Sequence, residues 1–183
     1  GSLRDGESGV EMLHDYGAFR LYRVGDTHAT ARAGADATIG NTIEFDAMLL
    51  DPAGPPPMLP ADFRAGATSG PRLQIVQFIG PIAREWIDSV SRTGARIVQY
   101  IPNNAYIVLA DDAAIATLDA QARAGTTIQY SGAYAPYFKL GASIAQRVDH
   151  GLSAARHLDI TVQVVSWSGN GASKGVIEQL ADQ

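Results

Sequence analysis

An α+β fold, with helices laid on one side of antiparallel strands, is what this sequence predicts, and three observations predict it. Short β-rich runs alternate with amphipathic segments of helical period, and Gly, Pro and Asn punctuate them. Two pairs of runs are separated by hairpin signals. Residues 72–140 hold, in order, a complete strand–helix–strand–strand–helix–strand set.

Within that set, Leu73–Ile79 is too short for a buried helix and rich in β-branched side chains, so it reads as a strand. Gly80-Pro81 breaks it. Pro81 suits the first turn of a helix, and Ala83, Trp86, Ile87 and Val90 follow on one face until Gly94. Ala95–Ile101 and Ala105–Leu109 are strands flanking Pro102-Asn103-Asn104, residues that tolerate the φ values of a tight hairpin. Asp111 or Asp112 can cap a second helix, whose Ile115, Leu118 and Ala122 share a face before Gly125 closes it. Thr127–Ser131 supplies the last strand. Two right-handed crossovers then place both helices on the same side of four strands, the ferredoxin-like βαββαβ sandwich.

Alternation sorts the strand residues into two faces. Leu73, Ile75, Ile97, Ile107 and Leu109 are expected under the helices; Val76, Phe78, Val98, Tyr100, Tyr106 and Val108 are expected on the reverse. Both sets are apolar, so the sheet needs a second cover, either another segment of the chain or a partner.

The flanks read as incomplete copies of the same unit. Residues 9–52 give strand–strand–helix–strand: Val10–Tyr16, Ala18–Val24, a short helix opened by Asp26 or Thr27 and running to about Ala33, and Thr42–Leu50. Laying Leu13–Leu21 beside Val98–Val108 supports an internal repeat. Residues 53–71 form a Pro-rich linker, with five prolines between Pro52 and Pro60 and another at Pro71. An aromatic tail, Ala133–Leu140, ends the complete module of residues 72–140. Residues 141–157 form a connection in which Ile144, Val148, Leu152 and Ala155 recur at nearly helical spacing, weakened by Gly151. Residues 158–183 give strand Ile160–Trp167 and a helix with Val176, Ile177 and Leu180, the two elements that residues 9–52 lack. The two fragments are therefore expected to join as a second module, within the chain or by segment swapping in a homodimer, since either alone would expose strand edges.

Composition narrows the function. The 183 residues are 46% hydrophobic and 18% charged, ordinary for a globular chain. A net charge of −5 without a Lys/Arg cluster argues against nucleic acid, and no stretch is apolar enough for a membrane span. The absence of cysteine removes disulfides, thiolate zinc sites and cysteine nucleophiles together. Gly1-Ser2 reads as a scar of tag cleavage.

The remaining chemistry is sparse. His14, His28, His150 and His157 fall in no metal-ligand spacing. No serine stands in a nucleophile elbow, and Ser166–Gly171 resembles a phosphate loop without the lysine that one needs. Asp111-Asp112 is explained by helix capping. No catalytic constellation and no cofactor are expected.

One family carries the resemblance. Ile75-Val76-Gln77-Phe78, Gly80-Pro81-Ile82, Glu85-Trp86, Gly94-Ala95, Val98 through Tyr106 and the tail Tyr134–Leu140 resemble the N-terminal pro-region of bacterial subtilisin-like serine proteases. The resemblance covers residues 72–140. It implies an intramolecular chaperone and temporary inhibitor whose sheet packs on the catalytic domain while its tail enters the substrate cleft. Asp-Thr-Gly, His-Gly-Thr and Gly-Thr-Ser-Met are not in these residues, so the fragment is expected to be non-catalytic, with the protease lying beyond Gln183. A secreted or periplasmic location follows from the resemblance. Phe78, Val98, Tyr100, Tyr106 and Tyr137 are the expected contacts with the catalytic domain. A small-molecule-binding regulatory module of paired ferredoxin-like units is the alternative; an enzyme in its own right is the weakest reading.

Overall fold

The computed structural model describes residues 9–24, 41–151 and 161–165. The chain divides into two units, Gly1–Gly151 and Leu152–Gln183. The first is an α+β body. Its elements are β1 (Val10–Asp15), β2 (Arg20–Val24), β3 (Ile43–Glu44), β4 (Leu49–Leu50), β5 (Arg72–Phe78), α1 (Arg84–Arg92), β6 (Arg96–Ile101), β7 (Ala105–Ala110), α2 (Asp112–Ala124), β8 (Ile128–Ala133) and α3 (Ala142–Asp149).

Four antiparallel strands in the order β6-β7-β5-β8 make the main sheet. Local chemistry sets its joints. Pro102, Asn103 and Asn104 form the three-residue turn between paired Ile101 and Ala105, and Asn103 and Asn104 adopt φ of 67° and 62°, left-handed values that Asn tolerates better than most residues. The Asp111 carboxylate accepts from the Ala114 N–H at 2.8 Å to cap α2, and Gly125 ends that helix at φ 62°. Helix α1 starts three residues after its proline, at Arg84 behind an extended Ala83, and buries Trp86 and Val90.

Helices α1 and α2 cover one face of the sheet. Their Trp86, Val90, Ile115 and Leu118 pack on Val76, Phe78 and Val108. The reverse face, carrying Ile75, Ile101 and Ile107, is covered by this chain's own Ile43, Leu50 and Leu59 and by the tail from Ala135 to Ala145. For β5 and β7 the expected faces are therefore exchanged. Alternation fixes which residues share a face; with both faces apolar it gives no sign of which one receives the helices. In β6 a bulge between Ile97 and Gln99 interrupts the period, so Ile97 does pack on the helix side, Val98 on the reverse, and Tyr100 pairs with Tyr106.

Gln77 is fully buried in β5 and joins three segments: its Nε2 donates to Asn41 O and to Asn103 O, both at 2.9 Å. The Asn103 Nδ2 in turn donates to Thr42 O at 2.7 Å. These bonds tie the chain before β3 to the β6–β7 hairpin.

Along the flanks one expected strand changes. Thr42–Leu50 is a small hairpin, β3 against β4, closed by reciprocal bonds between Phe45 and Met48. The connection does contain a helix, α3, and Gly151 at φ 79° follows its end. Strands β1–β2 and β3–β4 are separate two-stranded sheets, and Thr161–Val165 belong to no strand; most of residues 158–183, expected to complete a second module with residues 9–52, lie outside the described residues. The helices expected from Asp26 and after Gly171 lie outside the described residues.

The start of α2 carries a pH dependence. The Arg72 guanidinium and the Gly70 N–H both bond the Asp112 carboxylate and hold its pKa below the ordinary 3.8. A depressed carboxylate favours the folded state above the ordinary value, and that contribution disappears as pH falls through the depressed one. Asp112→Asn is thus expected to flatten the loss of stability on acidification below about pH 4, read from urea midpoints at pH 2 to 5; an unchanged slope would refute the coupling. Asp112 is exposed, so the effect is small.

Candidate functional site

The five residues expected to meet a partner do not form one surface. Phe78 is 1% exposed beneath α1, and Tyr137 is 5% exposed within the reverse-face cover. The Tyr137 hydroxyl lies 2.8 and 2.9 Å from the two Asp149 carboxylate oxygens; donating its proton to that carboxylate pushes its pKa up and ties the tail to α3. Val98 is half-buried against the same cover. Tyr100, 51% exposed, and half-buried Tyr106 stay together, edge to face at 5.4 Å.

That pair begins a row of rings that crosses the helix side of the molecule. Tyr106 meets Phe78 at 6.3 Å, Phe78 stacks on Trp86 at 5.9 Å, Trp86 meets Tyr16 at 6.3 Å, and Tyr16 stacks on Phe19 at 4.5 Å. Both ends reach solvent, since Phe19 is also 51% exposed. The hairpin β1–β2 positions the far end. Gly17 at φ 80° and the Asp15 carboxylate, bonded by the Gly17 N–H and Arg20, shape its turn. The Tyr16 hydroxyl donates to Pro81 O, fixing the hairpin to the start of α1. Leu21 packs on Gly80, where a Cβ would stand 2.7 Å from its Cδ2. Sequence reasoning missed Tyr16 and Phe19 because it placed their hairpin in a separate module; the two aromatics flanking Gly17 were the available signal.

The histidine in this region is part of the packing. His14 lies edge-on to Tyr16 and Trp86 and 3.3 Å from Glu85. His150 caps α3 at its exposed end; His28 and His157 lie outside the described residues. Among the described residues no three of His, Asp and Glu converge as metal ligands, and no helix is long and apolar enough to cross a membrane.

A concavity lies between α2 and β8. It is an open groove of about 730 Å³ lined by Ala65–Thr68, Arg72, Gln74, Asp119, Arg123 and residues Gln129–Ala133. The Gln74 amide sits 3.1 Å from Ser131 Oγ inside it. The Tyr130 ring lies over Gly132, where a Cβ would come within 2.5 Å of Cζ and 2.8 Å of Cε1. Gly132→Ala must expel the ring, and is expected to destabilise by about 1–3 kcal/mol. In a Tyr130→Ala background the same change should be nearly neutral. Additive effects in that double-mutant cycle would exclude the contact.

Comparison with known proteins adds a family match. Residues 40–135, a little over half of the chain, match the family model described as "Domain of unknown function (DUF8729)". No curated protein and no solved structure matches.

Proposed function

Since the chain belongs to the DUF8729 family, we propose, as a reading of these residues, that it is a non-catalytic prodomain: a folding chaperone and temporary inhibitor of a secreted or periplasmic subtilisin-like serine protease. The observation that carries the proposal is the connectivity of residues 72–140, strand–helix–strand–strand–helix–strand in the order β6-β7-β5-β8. That order with both helices on one face is what a ferredoxin-like module requires, and it supports the same reading of the residues that resemble subtilisin pro-regions. Fold alone does not select a function, so the proposal also needs a docking surface.

That surface is assigned to the two exposed ends of the aromatic row, Tyr100 and Phe19, rather than to the reverse of the sheet. The reverse is already buried under this chain's own hairpin β3–β4 and tail, whereas Tyr100 and Phe19 present large apolar side chains to solvent. Aromatic anchors of this kind dominate the energetics of protein interfaces. The alternative, a regulatory module binding a small molecule between paired units, needs a second four-stranded sheet, and the described residues contain one.

The test is functional. A subtilisin-like catalytic domain from the same source, unfolded in acid and diluted to neutral pH, should recover activity faster with the chain added, and the native enzyme should be slowed by it. Recovery and hydrolysis that ignore the chain at tens of micromolar would end the proposal.

A further inference from the structure

Strand β8 is an edge of the main sheet, paired with β5 alone among the described residues. The Tyr134 N–H donates to Leu73 O, and the register continues as Ile75 with Gly132 and Gln77 with Tyr130. In an antiparallel ladder such pairs alternate, so the main-chain groups of Ser131 and Ala133 point away from the sheet. The Ala133 carbonyl is taken by the Ala135 N–H. The Ser131 N–H, the Ser131 carbonyl and the Ala133 N–H have no such main-chain partner among the described residues, and Ala65–Thr68 make no main-chain bond to β8.

Proteins ordinarily blunt a sheet edge with charge, proline or a cover. The sequence of β8, Ile-Gln-Tyr-Ser-Gly-Ala, has neither charge nor proline. Its edge instead opens into the groove against α2. The groove's volume, about 730 Å³, lies inside the range of ligand sites. An edge strand facing a helix across a groove is the arrangement in which an extended peptide adds a strand, its main chain bonding the edge and its side chains meeting the helix.

Charge and walls decide the occupant. Arg72 is paired with Asp112 and the Asp119 carboxylate lies 3.4 Å from the Gln74 amide, while Arg123, exposed on the last turn of α2, forms no ion pair among the described residues. An acidic side chain of an incoming strand would complete it. Because α2 on one side and Ala65–Thr68 on another confine the groove, it suits one isolated strand rather than the sheet edge of a second copy.

We propose that the outer edge of β8 binds an extended acidic peptide segment as a fifth strand, through main-chain bonds at Ser131 and Ala133 and a salt bridge to Arg123. The proposal is independent of the prodomain reading.

The experiment titrates the isotope-labelled full chain with an acetylated, amidated heptapeptide alternating valine with glutamate and threonine. Amide signals of Gln129–Ala133 should shift, and the Ser131 and Ala133 amides should exchange at least tenfold more slowly. Two further peptides, N-methylated at odd or at even positions, separate strand addition from simple apolar contact: one should bind at least tenfold more weakly and the other like the parent. Arg123→Glu should weaken binding at least fivefold, and replacing the peptide's glutamates by lysine should restore it. Absence of shifts at millimolar peptide, or equal behaviour of the two N-methylated peptides, overturns the proposal. So does self-association of the chain that protects the same amides without peptide.

Discussion

Phe78→Ala is expected to destabilise the first unit by about 3–5 kcal/mol, the cost of deleting a fully buried aromatic whose neighbours cannot close the gap. The ring is 1% exposed, stacks on Trp86 and meets Tyr106 edge-on. Both partners are themselves held, Trp86 by its helix and by the Tyr16 side of the hairpin, Tyr106 by its strand pairs. Urea unfolding of the chain measures the loss. Tyr100→Ser, at the exposed end of the same row, should change stability by about 0.5 kcal/mol or less. The contrast decides whether Phe78 is packed inside this chain or presented at its surface. Were Phe78 on a surface awaiting a partner, the two substitutions would cost similar small amounts, and a loss under about 1 kcal/mol for Phe78→Ala would be incompatible with this packing.

That inversion of faces also marks what the residues alone could reveal. The central unit was legible element by element because each boundary has a local cause: the Asp111 cap, the left-handed Gly94 and Gly125, and the paired asparagines of the β6–β7 turn. Local signals of this sort act over a few residues and survive without tertiary context. The assignment of faces has no local cause. It depends on where Leu59, Tyr137 and Phe138 finally pack, and those residues come from a linker and a tail whose composition says little about destination. The short hairpin β3–β4 was read as one strand because Phe45–Met48 is as apolar as its flanks, and only the reciprocal bonds of Phe45 and Met48 turn it back.

The destination of the first hairpin was illegible for a related reason. Val10–Val24 does form the hairpin its pattern indicates, but its partner is the core of the complete module: Tyr16 meets the Trp86 ring and Leu21 lies against Gly80. Periodicity identifies a strand with one apolar face without naming what that face meets. The candidate groove was illegible for the opposite reason, since it is built from small and polar residues on four separate segments.

For the proposed docking surface, the double substitution Phe19→Ser with Tyr100→Ser is expected to weaken association with a subtilisin-like catalytic domain by about 4 kcal/mol, roughly a thousandfold, if both ends of the row act as anchors worth about 2 kcal/mol each. The inhibition constant of the purified chain measures it, with urea unfolding confirming that stability is kept. Single substitutions apportion the effect: two independent anchors give additive losses, whereas one shared hydrophobic pocket gives a coupling between positions. Phe19 is the more informative of the two, because its ring is stacked on Tyr16, whose hydroxyl is already bonded to Pro81 O. It is therefore held in place before any partner arrives, so little side-chain entropy remains to be lost on binding. An inhibition constant unmoved by the double substitution would instead place the contact on the tail, where Tyr137 and Phe138 would first have to leave the reverse face, and inhibition would then be slow in onset, limited by the opening of that cover.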